Sequence, residues 1–185
     1  MAFFWLATIA QAETYTVTTK SDTSAVGDGE LTLREAIALA NTNEEPDTIH
    51  FAEDLSGEII TLTQGQLEIT DDLSIDASAL EEAPSIDADG KSRVMGFRAS
   101  GGNLELNKLT LCNGHPVEWI GSGAGLLFDS TGELIITNAT FKNNSTSSYG
   151  GNGGGILLAE GSLTVRNSQF IANSAGRGGG IWLGS

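Results

Sequence analysis

Several things are scarce in this 185-residue chain. There is a single cysteine, Cys112. An internal disulfide framework and a cysteine-based zinc cluster are therefore both excluded, which leaves Cys112 the role of a small buried hydrophobe. Positive charge is scarce too, at 9 Lys+Arg against 24 Asp+Glu, a formal net charge of −15. A basic stripe for nucleic acid is absent, and the acidic balance repels phosphate backbones while favouring solubility. The two histidines, His50 and His115, stand apart, and neither has a second ligand at metal-binding spacing. The longest apolar run, Ala2–Ala10, is too short to cross a bilayer as a helix.

That apolar run ends in Ala10-Gln11-Ala12, an A-x-A site before Glu13. Residues 1–12 thus have the core and cleavage site of a secretory signal peptide, although no Lys or Arg precedes the core. Residues 13–47 read as an N-terminal cap made of strand, loop and helix. The strand is Thr14–Thr19, β-branched and alternating. The helix is Leu33–Asn41: Thr32 and Glu35 have capping-box spacing, and Leu33, Ala36, Ile37 and Ala40 recur with helical period. Asn43–Pro46 closes it.

From residue 48 to 185 the pattern changes to short strands separated by Gly, Asn, Asp and Ser: 48–52, 58–62, 66–70, 73–77 and 85–88. Beyond residue 100 the chain repeats itself. Leu104, Leu134 and Leu163 open equivalent strands, as do Leu109, Ala139 and Ser168, and as do Gly125, Gly155 and Gly180. Asn138 matches Asn167 and Asn144 matches Asn173. Each unit of 25–30 residues carries three short strands, where a leucine-rich repeat would carry one. Three strands per unit specify a solenoid in which each strand pairs in parallel with its equivalent one coil on. Phe141 is then expected above Phe170, and Leu134 above Leu163. Asparagines at equivalent turns can form a hydrogen-bonded ladder and tolerate left-handed backbone angles. The inward stacks are expected to be Leu134, Ile136, Phe141, Ile156, Leu158, Leu163, Val165 and Phe170.

The stretch GGGI…LTVRNSQFIANSAGRGGGI resembles the repeats of bacterial right-handed parallel β-helix proteins of the polymorphic outer-membrane-protein and autotransporter-passenger kind. Two phrases carry the likeness: Gly153–Ile156 with Phe141–Asn144, and Gly178–Ile181 with Phe170–Asn173. The segment Thr32-Leu-Arg-Glu-Ala-Ile37 is similar to the C-S-L-R-E-A segment that opens many exported β-helix proteins, with Leu31 and Thr32 in place of Cys and Ser. The expected fold is all-β, a right-handed parallel β-helix with one N-terminal capping helix. The resemblance implies an exported scaffold, the N-terminal section of a surface or secreted adhesin-like protein outside the cell or at the bacterial outer membrane. Its ligand would be a protein or a surface glycan, and it would meet a membrane only through an anchor further downstream. Truncation of the last coil is also expected, because Ile181–Leu183 is one strand of a three-strand coil and solenoid ends are normally capped.

Candidate chemistry is thin. Sugar hydrolysis needs two carboxylates across a bond. The adjacent pairs Asp71-Asp72, Glu81-Glu82, Glu44-Glu45 and Glu53-Asp54 read as turns, and neighbours on a strand point to opposite faces. The triplets Asn-Thr-Asp, Gly-His-Gly and Arg-Ile-Lys, which mark pectin-lyase-like and polygalacturonase-like enzymes of this architecture, are absent. The second reading is nonetheless a polysaccharide lyase or glycoside hydrolase whose catalytic coils lie mostly elsewhere. An outward cluster of carboxylates with Arg or Lys would favour it. No catalytic residue and no cofactor is assigned. The glycine-rich 150–158 lacks the Asp of a Ca²⁺-binding nonapeptide, which leaves weak Ca²⁺ binding at acidic turns such as Asp87–Asp89 as the one metal expectation. The candidate contact site is a stripe. The middle positions of the G-I-x-L phrases, Leu127, Leu157 and Trp182, should point outward in register unless the loop 145–152 folds over them.

Overall fold

The computed structural model describes residues 11–24, 27–42, 45–116, 121–146 and 150–184. Residues 1–10 of the expected signal peptide therefore lie outside the described residues. Strand β1 (Thr14–Val17) and helix α1 (Leu33–Ala40) come first. Five coils of three strands follow. The first is β2 (Asp47–Phe51), β3 (Ile59–Thr61) and β4 (Leu67–Ile69), and the second is β5 (Leu73–Asp76), β6 (Ser85–Asp87) and β7 (Met95–Phe97). The third is β8 (Leu104–Asn107), β9 (Thr110–Cys112) and β10 (Leu126–Phe128). The fourth is β11 (Glu133–Thr137), β12 (Thr140–Lys142) and β13 (Ile156–Leu158), and the fifth is β14 (Ser162–Arg166), β15 (Gln169–Ile171) and β16 (Ile181–Leu183). All pairing is parallel, in three sheets. Sheet A runs β1-β2-β5-β8-β11-β14, sheet B runs β3-β6-β9-β12-β15, and sheet C runs β4-β7-β10-β13-β16. The chain is a parallel β-helix with three strands per coil.

Alternation along each short strand sends every second side chain into the bore. Register then stacks like upon like. Ile49, Ile75, Leu106, Ile136 and Val165 form one column in sheet A. Sheet B contributes Ile60, Ile86, Leu111, Phe141 and Phe170. In sheet C, Leu126 and Phe128 stand between Met95 and Phe97 on one side and Ile156 and Leu158 on the other. Phe141 lies over Phe170 at 5.1 Å between ring centroids, and Phe97 over Phe128 at 4.9 Å, both nearly parallel. Leu134 lies over Leu163, as the repeat predicted. Of the expected inward residues, Leu134, Ile136, Phe141, Ile156 and Leu158 are buried. Leu163 and Phe170 are partly buried against the same core, and Val165 is 38% exposed, because the fifth coil has a described neighbour on one side only.

In the third, fourth and fifth coils, left-handed residues recur at three corners. Between sheets A and B these are Lys108, Asn138 and Asn167, with φ of 58, 53 and 50°. After sheet B come Asn113, Asn143 and Ala172, at 54, 57 and 52°. The third corner is Gly123, Gly153 and Gly178, at 63, 65 and 62°. This explains the first glycine of the repeated phrase, since a Cβ on Gly153 would also sit 2.2 Å from the Ile156 carbonyl oxygen. Asn144 and Asn173, one residue past the second corner, form the expected ladder. The Asn144 amide nitrogen donates to Asn173 Oδ1 at 3.0 Å, and Asn144 Oδ1 accepts from Gly114 N at 2.8 Å.

The beginning of the solenoid is closed by side chains standing in for a missing strand. Helix α1 has the predicted capping box between Thr32 and Glu35, its predicted inward face is buried, and it packs against β1, β2 and β4. Arg34 Nη1 and Nη2 donate to the Gln66 and Gly65 carbonyls at 3.0 and 2.7 Å. Asn41 Nδ2 donates to Glu68 O, and Asn41 Oδ1 accepts from Thr70 N, both at 2.9 Å. The Arg34 guanidinium also pairs with the buried Asp22, which accepts in turn from the Thr63 and Gln64 amides. These bonds occupy the free edge of β4 that would otherwise invite edge pairing. On sheet A the same task falls to β1, which pairs with β2 as a rung of the sheet.

Two stability predictions follow. Arg34→Ala strands the buried Asp22 carboxylate and should cost about 3–5 kcal/mol, read from the urea midpoint. Phe141→Ala should cost about 3–5 kcal/mol in the same assay, whereas Val165→Ala should cost about 1 kcal/mol or less, because its site is already open.

Candidate functional site

The outward face of sheet C is where the candidate residues meet. One continuous column runs Glu68, Gly96, Leu127, Leu157 and Trp182. The three stripe residues are thus in register as expected. Their inward neighbours Leu126, Phe128, Ile156 and Leu158 fill the bore. Leu127 and Trp182 are half-buried, while Leu157 between them keeps only 7% of its surface exposed. The stripe is therefore an apolar ridge with two accessible ends, less open than a bare patch. Of the loop 145–152, residues 147–149 lie outside the described residues. Its ends turn in towards each other, with Thr146 and Gly151 both buried.

The other half of the column is polar. Gly96 has no side chain, and a Cβ there would sit 2.9 Å from Glu68 Oε2 and 3.3 Å from Gln66 Nε2. The Gln66 and Glu68 side chains take up that place, and with Lys91, Ser92, Arg93, Arg98 and Pro116 they line a concavity of about 280 Å³. Arg93 is buried and donates to the Ser122 and Gly123 carbonyls and to Gln66 Oε1. Gln66 in turn bonds Glu68. Arg98 Nη1 stands 3.3 Å from both Glu68 oxygens, at the long end for such a bond, and the two side chains are nearly half exposed. Lys91 projects into solvent beside Asp89 at 2.6 Å. The hydrogen bond and charge of the Asp89 carboxylate raise the Lys91 pKa. Sequence reading passed over this cluster. Gln66 and Glu68 sit on one coil and Lys91, Arg93 and Arg98 on the next, a separation that carries no local signal.

The remaining candidates are accounted for by structure. Asp71-Asp72, Glu81-Glu82 and Glu53-Asp54 lie in bends, turns and a 3₁₀ segment, Glu53–Leu55, as expected; Glu44 lies outside the described residues. Asp72 accepts from the Asn103 amide at 2.9 Å and from its side chain at 3.1 Å, and Asn103 Oδ1 accepts from Glu133 N at 2.8 Å. That acidic column is a polar ladder along the edge of sheet A. In the Asp87–Asp89 turn, Asp87 Oδ1 is taken by the Asp89 amide and by Asn113 Nδ2. Among the described residues, no group of three or more His, Cys, Asp or Glu is placed to hold a metal ion. His50 and His115 face the carbonyl oxygens of Asp76 and Ser145 at 3.2 and 2.9 Å. No described helix is long and apolar enough to cross a membrane. The face to consider is therefore a ridge with a charged pocket at its foot.

No family model, curated protein or solved structure matches this chain. What the face does has to be read from its chemistry alone. Among the described residues, one carboxylate, Glu68, and three cations line the concavity. It can grip an anion and lay an apolar surface along the ridge. Among the described residues, two facing carboxyl groups of the kind sugar hydrolysis requires do not line it.

Cys112 lies on the outward face of sheet B, yet it is 9% exposed, held between Asp87 and Lys142 on the neighbouring coils. Burial first, and the Asp87 charge second, push its thiol up to about 11, against a small opposing effect of Lys142. A raised pKa means the folded thiol stays protonated while an unfolded one ionises from about pH 8.5. The stabilisation is complete below that pH and is lost as pH climbs to about 11. Chemical denaturation from pH 8 to 11 should show that decline, and Cys112→Ala should remove part of it. Native Cys112 should also resist iodoacetamide at pH 8.5 and react once the chain is unfolded.

Proposed function

We propose that this chain is a rigid exported scaffold of a bacterial surface or secreted β-helix protein of adhesin type, and that the outward face of sheet C is its contact face. The observation that carries this reading is the column Leu127, Leu157 and Trp182, stacked in register on a ladder whose other polar side chains are largely spent on internal bonds. Apolar residues presented at constant spacing on a stiff support suit binding that uses shape and area, since little conformational entropy is lost on contact. The A-x-A site before Glu13 and the likeness to outer-membrane-protein and autotransporter-passenger repeats support export.

A second reading keeps one specific support. The Glu68, Lys91, Arg93 and Arg98 cluster is the outward grouping of a carboxylate with cations that a polysaccharide lyase or glycoside hydrolase on this scaffold would need. Among the described residues it holds one carboxylate, so it ranks second.

Trp182→Ser in the full-length protein should weaken adhesion to the target surface at least several-fold while leaving the thermal midpoint within a few degrees. Unchanged adhesion removes the contact-face reading. Measured turnover of a sugar polymer by the full-length protein, with or without Ca²⁺, would put the enzyme reading first. Protease added to intact cells should digest the chain, and protection would count against surface exposure.

A further inference from the structure

We infer that export processing itself locks the start of the solenoid: removal of the leader after Ala12 turns the Glu13 nitrogen into an ammonium that pairs with the buried Asp47 carboxylate. This rests on the reading of the chain as exported, and it says what leader removal does to the finished fold.

Asp47 is the first support. It heads an inward column of sheet A that continues as Leu73, Leu104, Leu134 and Leu163. Four coils put leucine at this place, and the first coil puts a carboxylate there that is only 1% exposed. A buried carboxylate needs hydrogen-bond donors, and it gains further when one of them carries positive charge. The Glu13 nitrogen is one of its donors, 2.6 Å from Asp47 Oδ1. Thr14 pairs with Thr48 one residue further on, so the register of β1 on β2 holds the contact in place.

The place of the cut is the second support. Glu13 is tied to β2 at both ends, its nitrogen to Asp47 and its carbonyl oxygen to the Thr48 amide at 2.9 Å. Gln11 and Ala12 are exposed and make no hydrogen bond among the described residues. The A-x-A site therefore stops one residue short of the first bonded group of the solenoid. A leader peptidase cutting there adds one water across the Ala12–Glu13 peptide bond. The C–N bond breaks, the water's hydroxyl joins the Ala12 carbonyl carbon, and its proton joins the Glu13 nitrogen. The new Ala12 carboxyl group then gives up its proton, and the Glu13 amine takes one up to become the ammonium.

The local field is the third support. Tyr15 Oη donates to Glu13 Oε2 at 2.8 Å. Burial first, then that bond, the Asp47 charge and the Glu13 charge push the Tyr15 hydroxyl up to about 12. Two carboxylates thus act on one place beside the Glu13 nitrogen, where a positive charge is favoured. The contact with Asp47 is part-buried, so it is screened less than a surface pair. The amide already stands at hydrogen-bond distance, so the ammonium needs no rearrangement to pair, and a charge-assisted bond is roughly twice as strong as a neutral one.

The test has two parts. Mass spectrometry of the full-length protein recovered from outside the bacterial cell should give Glu13 as its first residue. Full-length protein made to begin at Glu13 is then unfolded in urea with its amino terminus free or acetylated. The free form should have a folding equilibrium constant at least fivefold larger, and Asp47→Asn should cancel the difference. Should Asp47→Asn not fold, the terminal amine of wild type is titrated by NMR. Facing Asp47 and the Glu13 carboxylate, it should titrate above the about 7.7–8.0 of an ordinary α-amino group, and a value inside that range overturns the pair. A different first residue, an acetyl group without effect, or a difference that persists in Asp47→Asn also overturns the lock. If the protein still leaves the cell in such a case, export stands and only the lock has failed. If the leader stays on and the protein stays inside, both fail.

Discussion

Every part of this molecule answers to one constraint: each coil must present the same residue class at the same height as the coils beside it. The backbone ladders run between coils, so a strand cannot slip by one residue without turning its apolar set outward. Register is therefore held from inside by columns such as Ile49, Ile75, Leu106 and Ile136, and from the corners by backbone conformation. The corners are the stricter of the two. A left-handed residue at the same place in successive coils is what lets three flat sheets close on themselves. Where the sequence abandons Gly or Asn at such a place, as at Ala172, it accepts a cost of about 1–2 kcal/mol to keep the path of the chain.

That same constraint decides what could be read from the sequence. Repetition is visible wherever a column is filled by like residues, so the strands after residue 100, the stacked phenylalanines and the Asn144–Asn173 ladder were all legible. The capping helix was legible because its signals are local. Strand β7 was missed. Its middle residue is Gly96 and its flanks are Arg93 and Arg98, so it shares no phrase with later coils, and only pairing with β4 and β10 makes it a strand. Asparagines at equivalent turns were expected to take left-handed angles; Asn138 and Asn167 do, but at the second corner the left-handed residues are Asn143 and Ala172, one position before Asn144 and Asn173. The pairing of Asp22 with Arg34 spans 12 residues and a loop, and nothing in either neighbourhood announces it.

The site was half legible for the same reason. Leu127, Leu157 and Trp182 occupy equal places in a repeated phrase, so their alignment could be foreseen. Their degree of burial could not, since it depends on what flanks the column. The pocket at its foot is made by residues whose proximity comes from coil stacking alone, with Gln66 and Glu68 folded over Gly96. A repeat reading discards such positions as irregular. In a solenoid, departures from the repeat are where surface chemistry can change without disturbing the ladder.

The three outward faces are not equivalent, and the difference is one of free valence. Sheet A spends its outward and edge groups on a ladder through Asp72, Asn103, Glu133 and Thr164. Sheet B mixes charges with Cys112, whose thiol is shut between neighbouring side chains. Sheet C, among the described residues, carries the loosely held and nearly half-exposed pair of Arg98 and Glu68 and an apolar run that continues to the fifth coil. Recognition requires groups that gain more from a ligand than they lose by leaving their present partners. By that criterion the interior ladders of sheets A and B hold the structure together, and the exposed, loosely tied Arg98 on sheet C is the side chain with most to gain from a new partner.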